Sequence, residues 1–565
     1  MPTASPGLPE DSTFCPDPAT LRARFDALSG LPMGLECAKG LESARLKLDR
    51  ELDAGRAARY IAWTRHLADP VAQRSHRHWM QVCEPEIQAC RNRLDRQFLE
   101  HFRHSAPSRA AERLVLLRGR RLEWAQVNAD GMLREDLILR EVLELQARHR
   151  VLLPGETLPR TLPQAEQELL AAQRERRERA WRAIHAGRRQ DADTLDTMMD
   201  RLIAERVSRA GLADPADWPA WRHRELGRED CSLTQCVTLR RDVAHCLQPL
   251  MSQWQEQRRQ ALSLSELRPW DLSVEPDQHS ALLPWRNAAE LVQFTRHCLA
   301  RVHPEAAALL GRLEGAGLLD LENRPGKAPG AYSHPLHHTG LSFIFMNGTG
   351  HAHDLQVLLH ECGHALQTWL CRDQPCLEFL ECPGESAELA AFGLELLCLE
   401  HARTLWPHAS DARSWRRRVL RRALESVAWC LALDEFQDAL YTRAPLSADS
   451  RAQYFRTVHE KFMGTGVAWR GLETEQGLLW QQHLQLFTQP FAHTEYAIAQ
   501  LGALQLWERS MDDREAAIAD WCAALALGNS RSPSEVYARA GVSLLPDRAL
   551  LERIVARVSE ELARE

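Results

Sequence analysis

His360, Glu361 and His364 stand in the stretch His351–Leu370 as two histidines four residues apart, with a glutamate directly after the first. On a helix, positions i and i+4 lie on one face a turn apart. Both imidazoles can therefore point at one zinc ion while Glu361 works on a bound water. The pattern alone arises by chance in roughly one chain in a dozen of this size and composition, so its surroundings must carry the assignment. Leu355, Leu358, Leu359, Ala365, Leu366 and Trp369 recur at helical spacing, which predicts a buried amphipathic helix, and Asp354 falls where an N-cap belongs. The missing acidic ligand calls for a second helix. Gly384–Glu400 is acidic and apolar at the right period, and its Glu388 and Glu395 share a face two turns apart. One of them can coordinate the metal while the other supports a ligand from behind. Two histidines and one glutamate leave a fourth coordination position for water, the arrangement of a catalytic zinc. Glu361 is then placed to take a proton from that water and to return it to a leaving amine.

Positioning these residues falls to a mostly helical chain. Residues 1–18 are rich in Pro, Ser and Gly and read as a mobile tail. From Ala19 to about Arg113 the period is helical, with Leu28, Leu41, Leu46 and Leu48 among abundant charge. Leu114–Leu117 and Leu122–Val127 read as a short hairpin, although periodicity does not separate that from helix. Helices are expected again over Arg134–His149 and Pro163–Ala210, where the basic run Arg174–Arg189 is interleaved by Glu175 and Glu178 and reads as a solvated face, as does Arg416–Arg422. Leu341–Asn347, short, apolar and rich in Phe and Ile, is the best strand candidate. Beside the zinc helix, its free edge would pair with an extended peptide through main-chain hydrogen bonds.

Net charge is −7 with a pI near 6.4, which gives no electrostatic case for nucleic acid or an anionic membrane. The first residues lack the basic and apolar regions of a secretory signal, and no stretch is long and apolar enough for a bilayer. Fifteen cysteines form no framework and point to a reducing, cytoplasmic setting. Cys371, Cys376 and Cys382 lack the paired spacing of a metal knuckle and read as thiols; Cys362, inside the motif, is a candidate for thiol-sensitive inhibition. His334, His337, His338, His351 and His353 read singly as satisfied loop histidines.

The chain resembles the thimet-oligopeptidase and oligoendopeptidase F zinc peptidases, most widely on the oligoendopeptidase F side. His360-Glu361-Cys362-Gly363-His364 is similar to the family's HExGH. Ala387-Glu388-Leu389-Ala390 followed by Glu395 resembles its third-ligand segment, which makes Glu388 the third ligand, with Glu385 the competitor inside the same helix. Gly330-Ala331-Tyr332-Ser333 and Phe343–Asn347 resemble the loop and strand before the zinc helix. Trp480–His483 and Pro490-Phe491 to Tyr496–Gln500 resemble the second catalytic segment. Leu195-Asp196, Arg228-Glu229-Asp230 and Leu267–Asp271 stand in the family's order, so that the likeness covers roughly residues 170 to 545. It implies one zinc per chain, His483 and Tyr496 as donors to the oxyanion, Glu395 and Asp354 as supports for the ligands, and Tyr332, Phe343, Phe345, Asn347 and His493 against the substrate. Where many relatives have Tyr-Tyr after Pro-Phe, this chain has Ala492-His493, which removes a phenol unless His493 replaces it.

The resemblance further implies a mainly α fold of two helical lobes around a deep groove, with a small β-sheet beside the HExxH helix. The expected division is an N-terminal helical lobe over 19–170 and a peptidase domain over 171–565. The expected activity is hydrolysis of internal bonds in short, unstructured peptides. Two rivals share the ligands: a zinc carboxypeptidase, and a zinc-containing peptide-binding protein without turnover. Nothing in the sequence separates a monomer from a dimer.

Overall fold

The computed structural model describes residues 16–33, 40–102, 104, 106–128, 131–211, 217–274, 285–401, 406, 408–443 and 446–564. Most of the expected tail, residues 1–15, lies outside them. The chain forms two compact units, each built from three segments: Met1–Gln126, Leu282–Arg416 and Gly502–Leu544 in the first, Val127–Ala281, Arg417–Leu501 and Leu545–Glu565 in the second.

In the first unit, helices α1 (Leu41–Arg65), α2 (Glu84–Phe102) and α3 (Arg109–Asn128) join through buried charge. Arg45 meets Asp95 at 2.6 Å and Glu378 at 3.3 Å, Arg118 meets Glu378 at 3.2 Å, and Arg91 meets Asp49 at 2.8 Å. Pairing is what makes such burial tolerable. The same charges overturn the expected hairpin at 114–127. In α3 the buried positions include Ala111, Leu114, Arg118 and Leu122, a helical period in which a buried arginine takes one place that an apolar pattern would need, and Arg113 is buried beside them.

Three strands, β1 (Leu319–Glu322), β2 (Tyr332–Leu336) and β3 (Leu341–Gly348), form a sheet in the order β1-β3-β2. β1 runs parallel to β3, and β2 pairs antiparallel, from Tyr332 with Phe345 to Leu336 with Leu341. The strand expected at 341–347 is present, but it is the central one and has no free edge. Phe343, Ile344, Phe345 and Met346 are all buried, the unbroken apolar run of a strand covered on both faces. Pro335 suits an edge strand, because proline has no N–H to give to a ladder.

Helices α4 (Ala352–Cys371) and α5 (Gly384–Leu397) follow the sheet. His351, not Asp354, is the N-cap of α4. Asp354 sits at the third helical position, where its Oδ2 accepts the N–H groups of Thr349, Gly350 and His351 and closes the turn leaving β3. Gly363 lets α4 and α5 cross at backbone contact: a Cβ there would lie 2.5 Å from the Ala391 Cα.

The second unit is helical, with a two-residue ladder between Arg150–Val151 and Arg160–Thr161. Its long helices include Arg174–Ala210, Leu233–Ala261, most of α6 (Ala409–Thr442), and α7 (Ala448–Met463); the start of α8 (His493–Asp512) also belongs to it. The run at 174–189 is not a wholly solvated face. Arg174 and the buried Arg177 both bind the fully buried carboxylate of Asp271, each at 2.8 Å.

Candidate active site

The i, i+4 spacing brings His360 and His364 onto one face of α4, their rings 4.9 Å apart. Glu388 reaches both from α5: its carboxylate oxygens lie 3.4 Å from His360 Nε2 and 3.7 Å from His364 Nε2. One donor atom from each of the three lies within 4.8 Å of the others. Glu395, two turns on, approaches from the other side, with Oε1 at 2.7 Å from His360 Nδ1, while Gln356 donates to its Oε2 at 2.7 Å. A carboxylate on Nδ1 holds that proton and turns Nε2 toward the shared centre. Gln356 was missed in the sequence although the signal was there, one turn before His360 on the same face. Glu385, the competitor for Glu388, lies outside this donor group; it is buried at the start of α5, where its carbonyl accepts the Tyr537 hydroxyl at 2.8 Å.

Electrostatics mark the centre. Burial raises the Glu361 and Glu388 carboxyls to about 7 each, against the pull of His360. Burial works against a charged His360, yet the Glu395 hydrogen bond and the Glu388 charge outweigh it and raise the imidazole to about 10. One oxygen each of Glu361 and Glu388 is buried without a hydrogen-bond partner. Two imidazole nitrogens and buried, under-satisfied carboxylates suit a divalent cation, whose charge would relieve the repulsion between acids.

Cys362 is almost wholly buried, and burial pushes its thiol well up, which makes it a packed residue and not a reactive one. Three of the residues expected against substrate are committed elsewhere. Phe343 and Phe345 are core side chains. The Asn347 amide donates to the carbonyls of Ala328 and Gly330 at 2.8 and 2.9 Å and thereby fixes the loop before β2. Tyr332 is half-buried, stacks on Phe345 and bonds the Thr64 hydroxyl at 2.6 Å.

In the second unit, His483 and His493 lie with ring centres 6.0 Å apart. Burial first, then His493 and Arg188, push His483 down to about 3; burial pushes His493 down to about 4. Both imidazoles are neutral near pH 7. The segment from Phe491 to Tyr496 is heavily held. Phe491 has φ 66°, a strained conformation for a bulky residue, and both its backbone groups are bound: its N–H to Gln437 at 2.6 Å and its carbonyl to Arg228 at 2.5 Å. Thr494 donates to the buried Asp434 at 2.5 Å, and Arg228 pairs with Glu495 at 3.0 Å. Tyr496 follows, half-buried, on the first turn of α8. Leading into His483, the buried Gln481 donates to Asp196 at 2.9 Å. The ordered motifs at Asp196, Arg228 and Asp271 therefore serve as clamps.

The sequence model of peptidase family M3 matches residues 169–556, more than half of the chain. The chain belongs to peptidase family M3. This M3 chain is 23% identical over 304 residues to oligopeptidase PepF of Bacillus subtilis (strain 168), a match covering 52% of it and 44% of that protein. With the chromosomal oligoendopeptidase F of Lactococcus lactis subsp. cremoris it is 23% identical over 306 residues, covering 52% and 48%. The matched region thus spans about half the length of these curated relatives. The solved structure of Pz peptidase A with inhibitor 2 shares the fold, with a TM-score of 0.87 over 98% of this chain and 99% of that one at 22% identity. M3 is a metallopeptidase family, and the expected mainly helical fold with a small sheet agrees with that structure.

Proposed function

We propose that this chain is a zinc-dependent endopeptidase that cuts internal bonds of short, unstructured peptides. The observation that carries the reading is the group His360, His364 and Glu388, with Glu361 beside it and Glu395 on His360 Nδ1. Zinc held there, one ion per chain, would act as a Lewis acid and lower the pKa of a water. Glu361 takes a proton and delivers it to the leaving amine, a role its raised pKa suits. His483 and Tyr496 donate to the oxyanion as the resemblance assigns, and the neutrality of His483 suits a hydrogen-bond donor near pH 7. The family match supports residues 171–565 as the peptidase domain, while residues 19–170, expected as one helical lobe, divide between the two compact units at residue 126. With the central strand enclosed, β1 and β2 carry the two outer edges of the sheet, and we assign the extended peptide to that of β2. Fifteen cysteines without a framework support a cytoplasmic setting. Among the described residues, no helix is long and apolar enough to cross a membrane.

Mass spectrometry of products from mixed short peptides, blocked at both ends or unblocked, tests the reading on the zinc-loaded chain. Internal cuts in blocked peptides are expected. Cuts that require a free C-terminus would point to a carboxypeptidase, and intact peptides with zinc bound to a binding protein. Glu361→Ala is expected to keep one zinc per chain and lose turnover by about 10²–10⁴-fold.

A further inference from the structure

Trp429 lies on α6, half-buried, with Phe455 and His459 of α7 against its ring at 6.2 and 5.8 Å. Its indole Nε1 donates to His483 Nε2 at 3.0 Å. The side-chain amide nitrogen of Gln482 lies 3.3 Å from the same atom. An indole N–H is a donor and never an acceptor, and an amide NH₂ likewise only donates. Two donors on Nε2 require that nitrogen to offer its lone pair, so the imidazole proton resides on Nδ1. A proton on Nε2 would point at the indole N–H. The rings around Trp429 hold the indole in place, and neither phenylalanine nor leucine there would supply the donor.

We propose that Trp429 is a positioning residue: it holds His483 as the neutral tautomer protonated at Nδ1, so that Nδ1–H is the bond the imidazole gives to the peptide oxyanion. This rests on the reading of His483 as an oxyanion donor. Without the indole N–H, the imidazole divides its population between tautomers, and those protonated at Nε2 have no proton at the working nitrogen. The reaction loses a donor in that fraction of molecules while substrate binding changes little.

The test uses the full zinc-loaded chain with ¹⁵N-labelled histidine. Trp429 is replaced by benzothienylalanine, which keeps the shape and lacks the N–H, and separately by Phe; the His483 signals are assigned by their loss in His483→Gln. The expected wild-type spectrum has a protonated Nδ1 and an unprotonated Nε2 at His483. In both variants the Nε2–H form should gain population, and kcat on a fluorogenic peptide should fall about two- to fivefold, in proportion to the lost Nδ1–H form, with KM unchanged, a small part of the 10²–10³-fold that losing the oxyanion donor in every molecule costs. Zinc stoichiometry should not change. A wild-type Nε2–H tautomer overturns the proposal. So does a variant that loses kcat with the tautomer intact, which would mark a packing role, and so does a changed tautomer with kcat retained. Full turnover in His483→Gln instead overturns the reading of His483 and the catalytic half of the inference with it, whichever tautomer is seen.

Discussion

Around His360 and His364 three carboxyl groups share the site with the imidazoles; around His483 and His493 charged residues stand near, but the imidazoles themselves are neutral. The first cluster places the buried Glu361 and Glu395 and the half-buried Glu388 about two imidazoles; against the cost of burial, the Glu395 hydrogen bond and the Glu388 charge raise His360 to about 10, and burial raises the carboxyls of Glu361 and Glu388 to about 7. The second sets the half-buried His483 and the buried His493 near an indole, and loss of solvent drives them down to about 3 and about 4. On the proposed reading the first arrangement would hold a cation and move protons, and the second would donate hydrogen bonds without changing charge. They also differ in how they are held. The charged cluster comes from two helices crossing at Gly363, and the neutral one from contacts between residues far apart in the chain.

The sharpest way to break the comparison is at the crossing. In an exposed helix, glycine to alanine would stabilise by about 1 kcal/mol through backbone propensity. At Gly363 the new Cβ would meet the Ala391 Cα at 2.5 Å and the Ala390 carbonyl oxygen at 2.6 Å, backbone atoms that can yield only if α5 moves. Gly363→Ala is therefore expected to destabilise by about 1–3 kcal/mol. It should also weaken zinc by more than about 100-fold, beyond the loss of one supporting hydrogen bond, because Glu388 and Glu395 shift together. Urea denaturation and zinc titration on one sample decide it. A stabilised variant with full affinity would mean the helices do not meet as closely as described.

That difference in construction also explains what was legible beforehand. Glu361, His364, Glu388 and Glu395 lie at spacings a single helix converts into a shared face, so the metal cluster could be read from the sequence with its second helix. Gln356 could have been read the same way. By contrast, Trp429 reaches His483 across 54 residues and Arg228 reaches Glu495 across 267. No local period encodes such pairs: the family's motif order hinted at Arg228, and nothing in the sequence pointed to Trp429. The strand was legible, but its place in the sheet was not, because a run of apolar residues does not say which neighbours flank it. The hairpin expected at 114–127 failed for a related reason: pattern reading does not anticipate an arginine in the core, and Arg118 is enclosed by Glu42 and Glu378, residues distant in sequence.

A second test asks whether charge, and not merely shape, orders the metal cluster. Glu395→Gln keeps the volume and removes the charge that holds the proton on His360 Nδ1. Zinc affinity is expected to fall about 10-fold, at the lower end of what lost ligand supports cost. Glu385→Gln, one turn before Glu388 and outside the donor group, should leave affinity within about twofold, where a ligand would lose far more. Competition with a chromophoric chelator measures both. If the Glu385 variant is the weaker, the assignment of Glu388 is wrong.

The smallest effect probes the neutrality of the second cluster. His493 is 5% exposed and titrates at about 4 in the folded chain, against an ordinary 6.5. Between those values the unfolded chain holds a proton at this position that the folded chain does not. Folding stability contributed by the neutral imidazole is therefore fully present above about pH 6.5 and is lost as pH falls toward 4. His185, His223 and His459, also depressed by burial in the same unit, act with the same sign. His493→Phe removes one such site, so at pH 5 its unfolding should take up about one proton fewer than wild type, a slope smaller by about 1.4 kcal/mol per pH unit. Urea midpoints from pH 7.5 to 4.5 give the two slopes. Equal slopes would mean that His493 carries the same charge folded and unfolded, and the contrast between a charged and an uncharged cluster would then rest on His483 alone.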